Sequence, residues 1–176
     1  MNFRDDEHRA AVWAGLAESV RTLNGDRSER MHAVADLLWD ALHPVGVSWI
    51  GFYEIAGPGN DHGAEPGGAM ILAPHRDKPA CSPIGLHGAC GRAWRERVSL
   101  VVNDVASLGE GYVACDPLDL AEVVVPCVDQ DGSCWGVLDG DSFERGCFDT
   151  DDAARLHGLL SASGLTAGRL PEIVTI

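Results

Sequence analysis

Three cysteines of the chain, Cys81, Cys90 and Cys115, lie in segments rich in glycine, proline or turn residues. Incidental burial is the simpler explanation for any single one, but three thiols in comparable contexts favour a dithiol cycle. In such a cycle one thiolate attacks an electrophilic sulfur or oxygen, becomes a sulfenic acid, and is captured by a second thiol as a disulfide. A sulfoxide suits this chemistry, and because its oxygen leaves readily only after protonation, an acid should lie nearby.

The other three of the six cysteines have a structural interpretation. Cys127 and Cys134 alternate with the apolar face of a strand pair and are most simply small core residues. Cys147 lies between Gly146 and Phe148, and we expect it to pack near the closing helix. The sequence contains no CxxC pair and no Cys/His cluster at zinc-finger spacing, so it predicts no metal site.

Three carboxylates interrupt two otherwise apolar strands, which the turn signal Asp131-Gly132 joins into a hairpin. Side chains alternate across a strand, which groups the residues of each strand by face. The face that holds the acids carries Glu122, Val124 and Pro126 on the first strand and Trp135, Val137, Asp139 and Asp141 on the second. A two-residue turn pairs Glu122 with Asp141, whereas a four-residue loop pairs Glu122 with Asp139. Either register puts the three acids on one face.

Like charges opposite one another destabilise a sheet, so this acidic face needs a compensating feature. The alternatives are a bound cation, a shared proton, or simple exposure to water at the outer end of the hairpin. The pattern VLDGD at 137–141 runs from core-like residues directly into the acids, which favours the mouth of a pocket. A bound ammonium group would satisfy the acids, and crowding raises the pKa of at least one carboxyl, leaving it able to donate a proton. Calcium is less favoured because the chain has no twelve-residue loop of the EF-hand type.

Hydrophobic spacing, caps and turns predict the elements that position these groups. The predicted helices are 5–23, a second one from an Asp26 or Ser28 cap to His43-Pro44, 91–97, and 149–163 with Asp149 or Thr150 as its cap. The predicted strands are 47–55, 70–73, 99–104 and the two strands of a 121–142 hairpin, and the Gly/Pro-rich segment 56–69 is a predicted loop. This order indicates an α+β fold, with a central antiparallel sheet and the N-terminal and C-terminal helices packed on it. We expect one domain over 1–176 with a core at about 28–165.

Composition limits the class of protein. With 176 residues and 45% hydrophobic content, the chain has the length of one globular domain. A formal net charge of −14 argues against nucleic-acid binding, which needs clustered Lys and Arg, and favours cationic small ligands. The charged start MNFRDDEHRA lacks the apolar segment of a signal peptide, and no window reaches the length of a membrane span. We therefore expect a cytoplasmic protein without membrane association.

Six short motifs resemble, in the same order, those of the free methionine-(R)-sulfoxide reductases, enzymes built on a single GAF domain. They are WIGFY at 49–53, KPAC at 78–81, ACG at 89–91, ACD at 114–116, EVVVP at 122–126 and GVLDGDS at 136–142. Each motif is weak alone, but the ordered set is specific, and the resemblance spans roughly residues 30–163. It implies a GAF-like fold and an oxidoreductase that returns free L-methionine (R)-sulfoxide to methionine.

The resemblance also implies roles for particular residues. Cys115 is the implied nucleophile and sulfenic acid, and Cys81 is its implied partner in an intramolecular disulfide. Cys90 matches the family's third cysteine, and whether Cys115 or Cys90 attacks stays open. Trp49 and Tyr53 would form an aromatic wall around the methyl group and the ammonium of the substrate.

The remaining implied roles concern the acids and the reductant. Glu122, Asp139 and Asp141 would bind the ammonium and help protonate the sulfoxide oxygen. No bound cofactor is implied, and in the family thioredoxin reduces the disulfide. The architecture is also compatible with a homodimer through the N-terminal helices.

The chain departs from the family pattern in four places. The segment between Cys81 and Cys90 is one residue short, Tyr112-Val113 replaces a common His-Ile, Gly140 replaces an aliphatic residue, and the 56–69 loop is longer. These changes leave pocket shape and substrate preference open.

The alternative function is a non-catalytic GAF-type module that senses a small ligand or the redox state. A third hypothesis, a structural domain with incidental thiols, predicts no redox behaviour at all.

Overall fold

The structure is a computed structural model that describes residues 6–57, 68–109 and 115–176. Most of the predicted 56–69 loop, together with Tyr112 and Val113, lies outside the described residues. Within these ranges the α-helices are α1 (Asp6–Val20), α2 (Arg27–Leu42), α3 (Ala89–Glu96) and α4 (Thr150–Ala162). The strands are β1 (Val47–Ile55), β2 (Ala69–Arg76), β3 (Ile84–Gly85), β4 (Ser99–Val102), β5 (Ala121–Val128), β6 (Cys134–Ser142) and β7 (Ile173–Thr175).

The seven strands form one sheet in the order β3-β2-β1-β6-β5-β4-β7. Neighbouring strands are antiparallel except at one edge, where β7 pairs with β4 in parallel. The predicted α+β fold is therefore confirmed, and the sheet is mixed rather than wholly antiparallel. The last dozen residues are too weakly patterned for their sequence to predict β7.

Two of the helices begin where a carboxylate satisfies backbone donors. Asp26 and Glu29 form a capping box at α2, with hydrogen bonds of 2.9 Å in both directions. Asp149 and Asp152 form the corresponding box at α4, with bonds of 3.0 Å. Of the cap residues that the sequence offers, Asp26 and Asp149 are the ones used, because their oxygens accept from the backbone N–H three residues later.

Helices α1, α2 and α4 cover one face of the sheet, which we call the helix side. Its apolar core includes Val34 and Leu38 of α2, Leu156 of α4, and Val123 and Leu138 of the central strands, all at most 1% exposed. The opposite face, which we call the cavity side, is covered by α3 and by the segments that follow β2 and precede β5. None of the helices in the described ranges combines the length and the apolarity that a membrane span requires.

In the part of the β5–β6 hairpin that carries the acids, the register is the one that a two-residue turn predicts. Glu122 lies opposite Asp141, and Val124 lies opposite Asp139. A β-bulge interrupts the pairing, because Cys127 lies opposite Gly136 while Val128 lies opposite Cys134. The connection at 129–133 is therefore longer than two residues, although Gly132 keeps the positive φ of 84° expected of the turn.

The bulge overturns one prediction, which placed Trp135 on the face of the acids. Because the extra residue breaks the alternation, Trp135 turns to the helix side. Its ring lies 6.3 Å from that of Phe52, and its Nε1 donates to the carbonyl of Leu165 at 3.1 Å. Val137, beyond the bulge, packs on the cavity side as predicted.

Candidate active site

A cavity of about 340 Å³ lies on the cavity side of the sheet. All eight residues singled out from the sequence line this cavity: Trp49, Tyr53, Cys81, Cys90, Cys115, Glu122, Asp139 and Asp141. They come from β1, β5, β6 and α3 and from the segments at 77–83 and 115–119. The fold thus brings together residues that are up to 92 positions apart (Trp49 to Asp141) in one concave site.

The floor of the cavity is acidic and buried. Glu122 and Asp139 are only 3% and 6% exposed, so exposure to water does not compensate their charges. Burial raises the pKa of Asp139 to about 7, against the lowering effect of a hydrogen bond from Cys90. Burial first, and then the charges of Asp139 and Glu122, raise the pKa of Asp141 well above its ordinary value. The floor therefore retains protons near neutral pH and can donate them.

Cys90 contacts this floor from the first turn of α3. Its Sγ donates to Oδ2 of Asp139 at 3.2 Å, and its thiol is buried. Burial, followed by the charges of Asp139 and Glu122, raises the pKa of Cys90 well above its ordinary value. The next residue, Gly91, lets α3 pack closely on the segment that precedes it, because a Cβ there would lie 2.3 Å from the backbone of Leu86.

The rim of the cavity carries the two other thiols. Cys81 and Cys115 are both exposed, and Cys81 lies close enough to Cys115 to influence the pKa of its thiol. Partial burial and the contact with Cys81 raise the pKa of Cys115 to about 12. An ion pair between Lys78 and Asp116 joins the same two segments, and Lys78 also lies 4.9 Å above the ring of Phe143. The rim thus holds an adjacent pair of thiols.

Two aromatic rings of β1 form one wall. The rings of Trp49 and Tyr53 are 5.9 Å apart. Trp49 Nε1 donates to the carbonyl of Lys78, and the Tyr53 hydroxyl donates to the carbonyl of Cys81, both at 3.0 Å. Burial raises the pKa of Tyr53, so its hydroxyl remains a donor. The wall therefore also fixes the backbone that carries one of the rim thiols.

Asp119 is a fourth carboxylate of the cavity, and the sequence reasoning missed it. It is 5% exposed and accepts a hydrogen bond from Ser48 at 2.7 Å. Burial raises the pKa of Asp119. The sequence offers only a weak signal for it, since Asp119 lies in a loop where alternation assigns no face. Lys78 and Asp116 were missed for the same reason.

Part of the floor also has the chemistry of a metal site. Ligand atoms of Cys90, Glu122 and Asp139 all lie within 4.8 Å of one another, and all three residues are buried. Within the described ranges, this is the single group of three or more such residues close enough to share an ion.

Known proteins resemble this chain both in sequence and in fold. No protein-family model matches the chain. The chain is 33% identical to the free methionine-R-sulfoxide reductase of Saccharomyces cerevisiae, over 71% of this chain and 67% of the yeast protein. It is 31% identical to the free methionine-R-sulfoxide reductase of Escherichia coli, over 88% and 87% of the two chains. It is 34% identical to GAF domain-containing protein A of Dictyostelium discoideum over 64% of this chain, and it spans 65% of that protein's length.

Solved structures agree with these relatives. A free methionine-R-sulfoxide reductase of Neisseria meningitidis in complex with its substrate superimposes with a TM-score of 0.71 at 28% identity, covering 94% of this chain and 95% of that one. The fRMsr of Staphylococcus aureus, also in complex with substrate, gives a TM-score of 0.73 at 28% identity and covers 88% and 95%. A structure described as the GAF domain gives 0.74 at 25% identity, covering 96% and 93%. The predicted GAF-like fold is confirmed.

Proposed function

Because the chain belongs to the family of free methionine-R-sulfoxide reductases, we propose that it reduces free L-methionine (R)-sulfoxide to methionine with its own thiols. The observation that carries the proposal is the arrangement of one cavity, in which an exposed pair of thiols at the rim faces a buried, proton-retaining floor. A sulfoxide reductase needs both a nucleophilic sulfur and a proton donor within reach of the same sulfoxide group.

The cavity suits a small free amino acid. The carboxylates of the floor attract an ammonium group, and the wall of Trp49 and Tyr53 provides apolar contact for the methyl group and cation–π contact for the ammonium. A methionine sulfoxide inside a peptide has no ammonium at this position, because its nitrogen is an amide. The acidic floor therefore favours the free amino acid over the peptide-bound form.

In the first step Cys115 attacks the sulfoxide. Asp139 or Asp141 protonates the sulfoxide oxygen, the S–O bond to the methionine sulfur breaks, and a new S–O bond forms at Cys115. The thiol proton of Cys115 replaces the proton that the carboxyl has given. The methionine sulfur is reduced by two electrons, and the Cys115 sulfur is oxidised by two electrons to a sulfenic acid.

In the second step Cys81 captures the sulfenic acid. An S–S bond forms between the two rim thiols, the S–O bond of Cys115 breaks, and the oxygen leaves as water with the proton of Cys81. The proximity of the two rim thiols supports this pairing. An external dithiol, for which we propose thioredoxin, then reduces the disulfide by exchange, so the cycle uses no bound cofactor.

Cys90 is the alternative nucleophile, and the geometry favours a supporting role for it. Its thiol is buried and donates to Asp139, and its pKa is raised further than burial alone would achieve because two carboxylates face it. A thiolate at Cys90 would add a buried negative charge beside the carboxyl groups of Asp139 and Glu122. We therefore assign Cys90 to holding the orientation of Asp139.

The deciding assay follows NADPH oxidation in the presence of thioredoxin and thioredoxin reductase. We expect turnover of the free (R)-sulfoxide, and much slower turnover of the free (S)-sulfoxide and of a peptide-bound sulfoxide. Absence of turnover with the free (R) form would refute the proposal. Tight binding of methionine or its sulfoxide by calorimetry, with no chemical change, would instead favour the non-catalytic GAF-type sensing module.

The assignment of the thiols has a separate test. The reduced protein is given one equivalent of sulfoxide without reductant, and the cysteine pair that has lost two hydrogens is identified by peptide mass spectrometry. A bridge between Cys81 and Cys115 is expected. A bridge that includes Cys90 would reassign the nucleophile or its partner.

A further inference from the structure

The thiol of Cys90 and the carboxylates of Glu122 and Asp139 converge from α3, β5 and β6 on one point of the cavity floor. Their ligand atoms lie within 4.8 Å of one another, and the three residues are 6%, 3% and 6% exposed. Three further carboxylates, Asp116, Asp119 and Asp141, line the same cavity. A set of buried groups that can each become an anion stabilises a cation placed among them.

One atom of this group gives independent support for a ligand. Among the residues that the structure describes, none donates a hydrogen bond to the buried Oδ1 of Asp139, although Oδ2 of the same side chain accepts from Cys90. An unpartnered buried acceptor normally costs free energy, so a structure that keeps one usually satisfies it with an ion, a water or a ligand.

We propose that the floor binds a divalent transition-metal ion of the Zn²⁺ type, held by Cys90 Sγ and by one carboxylate oxygen each of Glu122 and Asp139. A water molecule completes the coordination. The thiolate selects a borderline-soft ion over Ca²⁺ or Mg²⁺, which prefer oxygen ligands alone. In a tetrahedral zinc site the sulfur and oxygen ligands are about 3.6 Å apart. The distance of 3.2 Å between Cys90 Sγ and Asp139 Oδ2 already approaches that value.

Metal binding should depend on pH in a defined direction. The Cys90 thiol must lose its proton to coordinate the ion, and the proton passes to bulk water. Affinity for the metal should therefore increase as pH rises, with release of at least one proton per ion bound. Sulfur ligation also predicts that Co²⁺, used as a spectroscopic substitute, gives a thiolate-to-metal charge-transfer band from one thiolate.

Occupancy of this site would inhibit the enzyme. This consequence rests on the proposed function, because Glu122 and Asp139 are also the carboxylates that we assign to the substrate ammonium and to proton donation. A bound ion would remove both and would compete with the free sulfoxide. Metal binding itself is measured without substrate, so its failure and the failure of the proposed function are distinguishable.

The test begins with the double variant Cys81→Ser/Cys115→Ser, which removes the rim thiols as competing metal ligands and keeps Cys90. Full-length reduced protein is titrated with Co²⁺ by absorption and with Zn²⁺ by calorimetry. We expect one ion per chain and the band of a single thiolate. No binding by the double variant, or a band without thiolate character, would overturn the proposal.

Three further variants in this background locate the ion. Cys90→Ser should abolish the charge-transfer band and weaken Zn²⁺ binding by more than about tenfold, since even residues beyond the metal ligands have effects of that size. Asp139→Asn, which keeps the shape of the side chain, should also weaken Zn²⁺ binding by more than about tenfold. Cys127→Ser is the matched control on the helix side and should leave binding unchanged. A band that survives Cys90→Ser, or one lost in Cys127→Ser, would contradict the site.

Discussion

The two faces of the β5–β6 hairpin are both buried, but they differ in what their side chains contact. On the helix side, Val123, Val125 and Leu138 pack against other apolar residues. On the cavity side, Glu122 next to Val123 and Asp139 next to Leu138 face a cavity. Burial of the apolar side chains on the helix side is favourable, whereas burial of the carboxyl groups on the cavity side is unfavourable, since desolvation raises the pKa of Asp139 and Asp141. Adjacent residues of this hairpin therefore differ in role: one packs in the apolar core and stabilises the fold, and the next lines the candidate active site.

The test with the largest expected effect replaces one cysteine on the cavity side and one on the helix side by serine. Cys115→Ser should lower sulfoxide turnover by more than about a thousandfold, because a hydroxyl cannot form the sulfenic acid and knockouts of catalytic nucleophiles have effects of that size. Because Cys115 is exposed, the melting temperature of the Cys115→Ser protein should differ little from that of the parent. Turnover is measured in the coupled NADPH assay, and stability by thermal denaturation.

The matched control is Cys127→Ser, which buries a hydroxyl in the apolar helix side. We expect it to lower the free energy of unfolding by about 1–3 kcal/mol and to keep turnover within about twofold. A Cys115→Ser protein that still turns over, or a Cys127→Ser protein that is folded but inactive, would break the comparison between the two sides.

The second test compares one floor residue with its neighbour on the helix side. Glu122→Gln should lower kcat/KM for the free sulfoxide by about 10–100-fold, because a charge-assisted hydrogen bond to the ammonium contributes about 1.5–3 kcal/mol. Its free energy of unfolding should be unchanged or higher, since one charge opposite Asp141 is removed.

Leu138→Ala is the counterpart and should lower the free energy of unfolding by about 2–5 kcal/mol, because the side chain is 1% exposed in the apolar core. Its kcat/KM, measured at a temperature where the variant is folded, should stay near that of the parent. Urea denaturation and initial-rate kinetics separate the two effects, and a reversed pattern would show that the faces do not divide the roles.

The third test concerns the protons of the floor. Because the pKa of Asp139 is about 7, kcat/KM should be highest below pH 7 and should fall about tenfold per pH unit well above it, as the proton donor is lost. Asp139→Asn should remove this limb of the profile. Rates are measured with a saturating chemical dithiol, so that the pH dependence of thioredoxin does not enter. A profile that keeps the same limb in Asp139→Asn would assign the proton to another carboxyl.

Stability should respond to pH through the same group. The folded pKa of Asp139 is raised above the ordinary value of 3.8, so between pH 3.8 and about 7 the native state binds more protons than the unfolded state. The stabilisation is present below pH 3.8 and is lost as pH rises through about 7. Asp139→Asn should therefore raise the melting temperature at pH 8 relative to the parent, and have a smaller effect at pH 4. An equal shift at both pH values would show that the carboxyl is not desolvated.

The smallest expected effect concerns the rim. Lys78→Met removes the ion pair with Asp116, which joins the segments that carry Cys81 and Cys115. Both partners are partly exposed, so the pair contributes at most about 1 kcal/mol. We expect the rate of disulfide formation after one turnover to fall about two- to fivefold, and to become less sensitive to salt. Quenched-flow thiol labelling measures this rate, and an unchanged rate would mean that the thiols are held together without the pair.

The sequence predicted the parts of the fold that local rules determine. The helices α2 and α4 and the strand β1 follow from caps and alternation, and the structure confirms them. For the β5–β6 hairpin the sequence left two registers open, and the structure has the one that pairs Glu122 with Asp141. Trp135 was assigned to the wrong face because a bulge depends on how two strands pair, which alternation within one strand does not contain. The strand β7 is held in place by pairing with β4 rather than by its own pattern.

The residues of the site likewise divide into those that local rules predict and those that depend on tertiary contacts. Glu122, Asp139 and Asp141 follow from strand alternation, whereas Asp119 lies in a loop whose direction is set by tertiary contacts such as the hydrogen bond from Ser48. The roles of the eight candidate residues, the extent of the domain and the homodimer stay predictions. The substitutions at Tyr112 and Val113 lie outside the described residues.

The bulge beside Trp135 also divides the hairpin into a part that tolerates changes in length and a part that does not. Residues 122–127 and 136–141 pair in a strict register, whereas the connection at 129–133 lies beyond the bulge. A residue gained or lost at the tip leaves the paired region unaffected. One residue inserted between Gly136 and Asp139 would instead turn both aspartates towards the helices. Across homologous sequences, gaps should therefore accumulate at the tip and be absent from the four residues that separate Gly136 from Asp141.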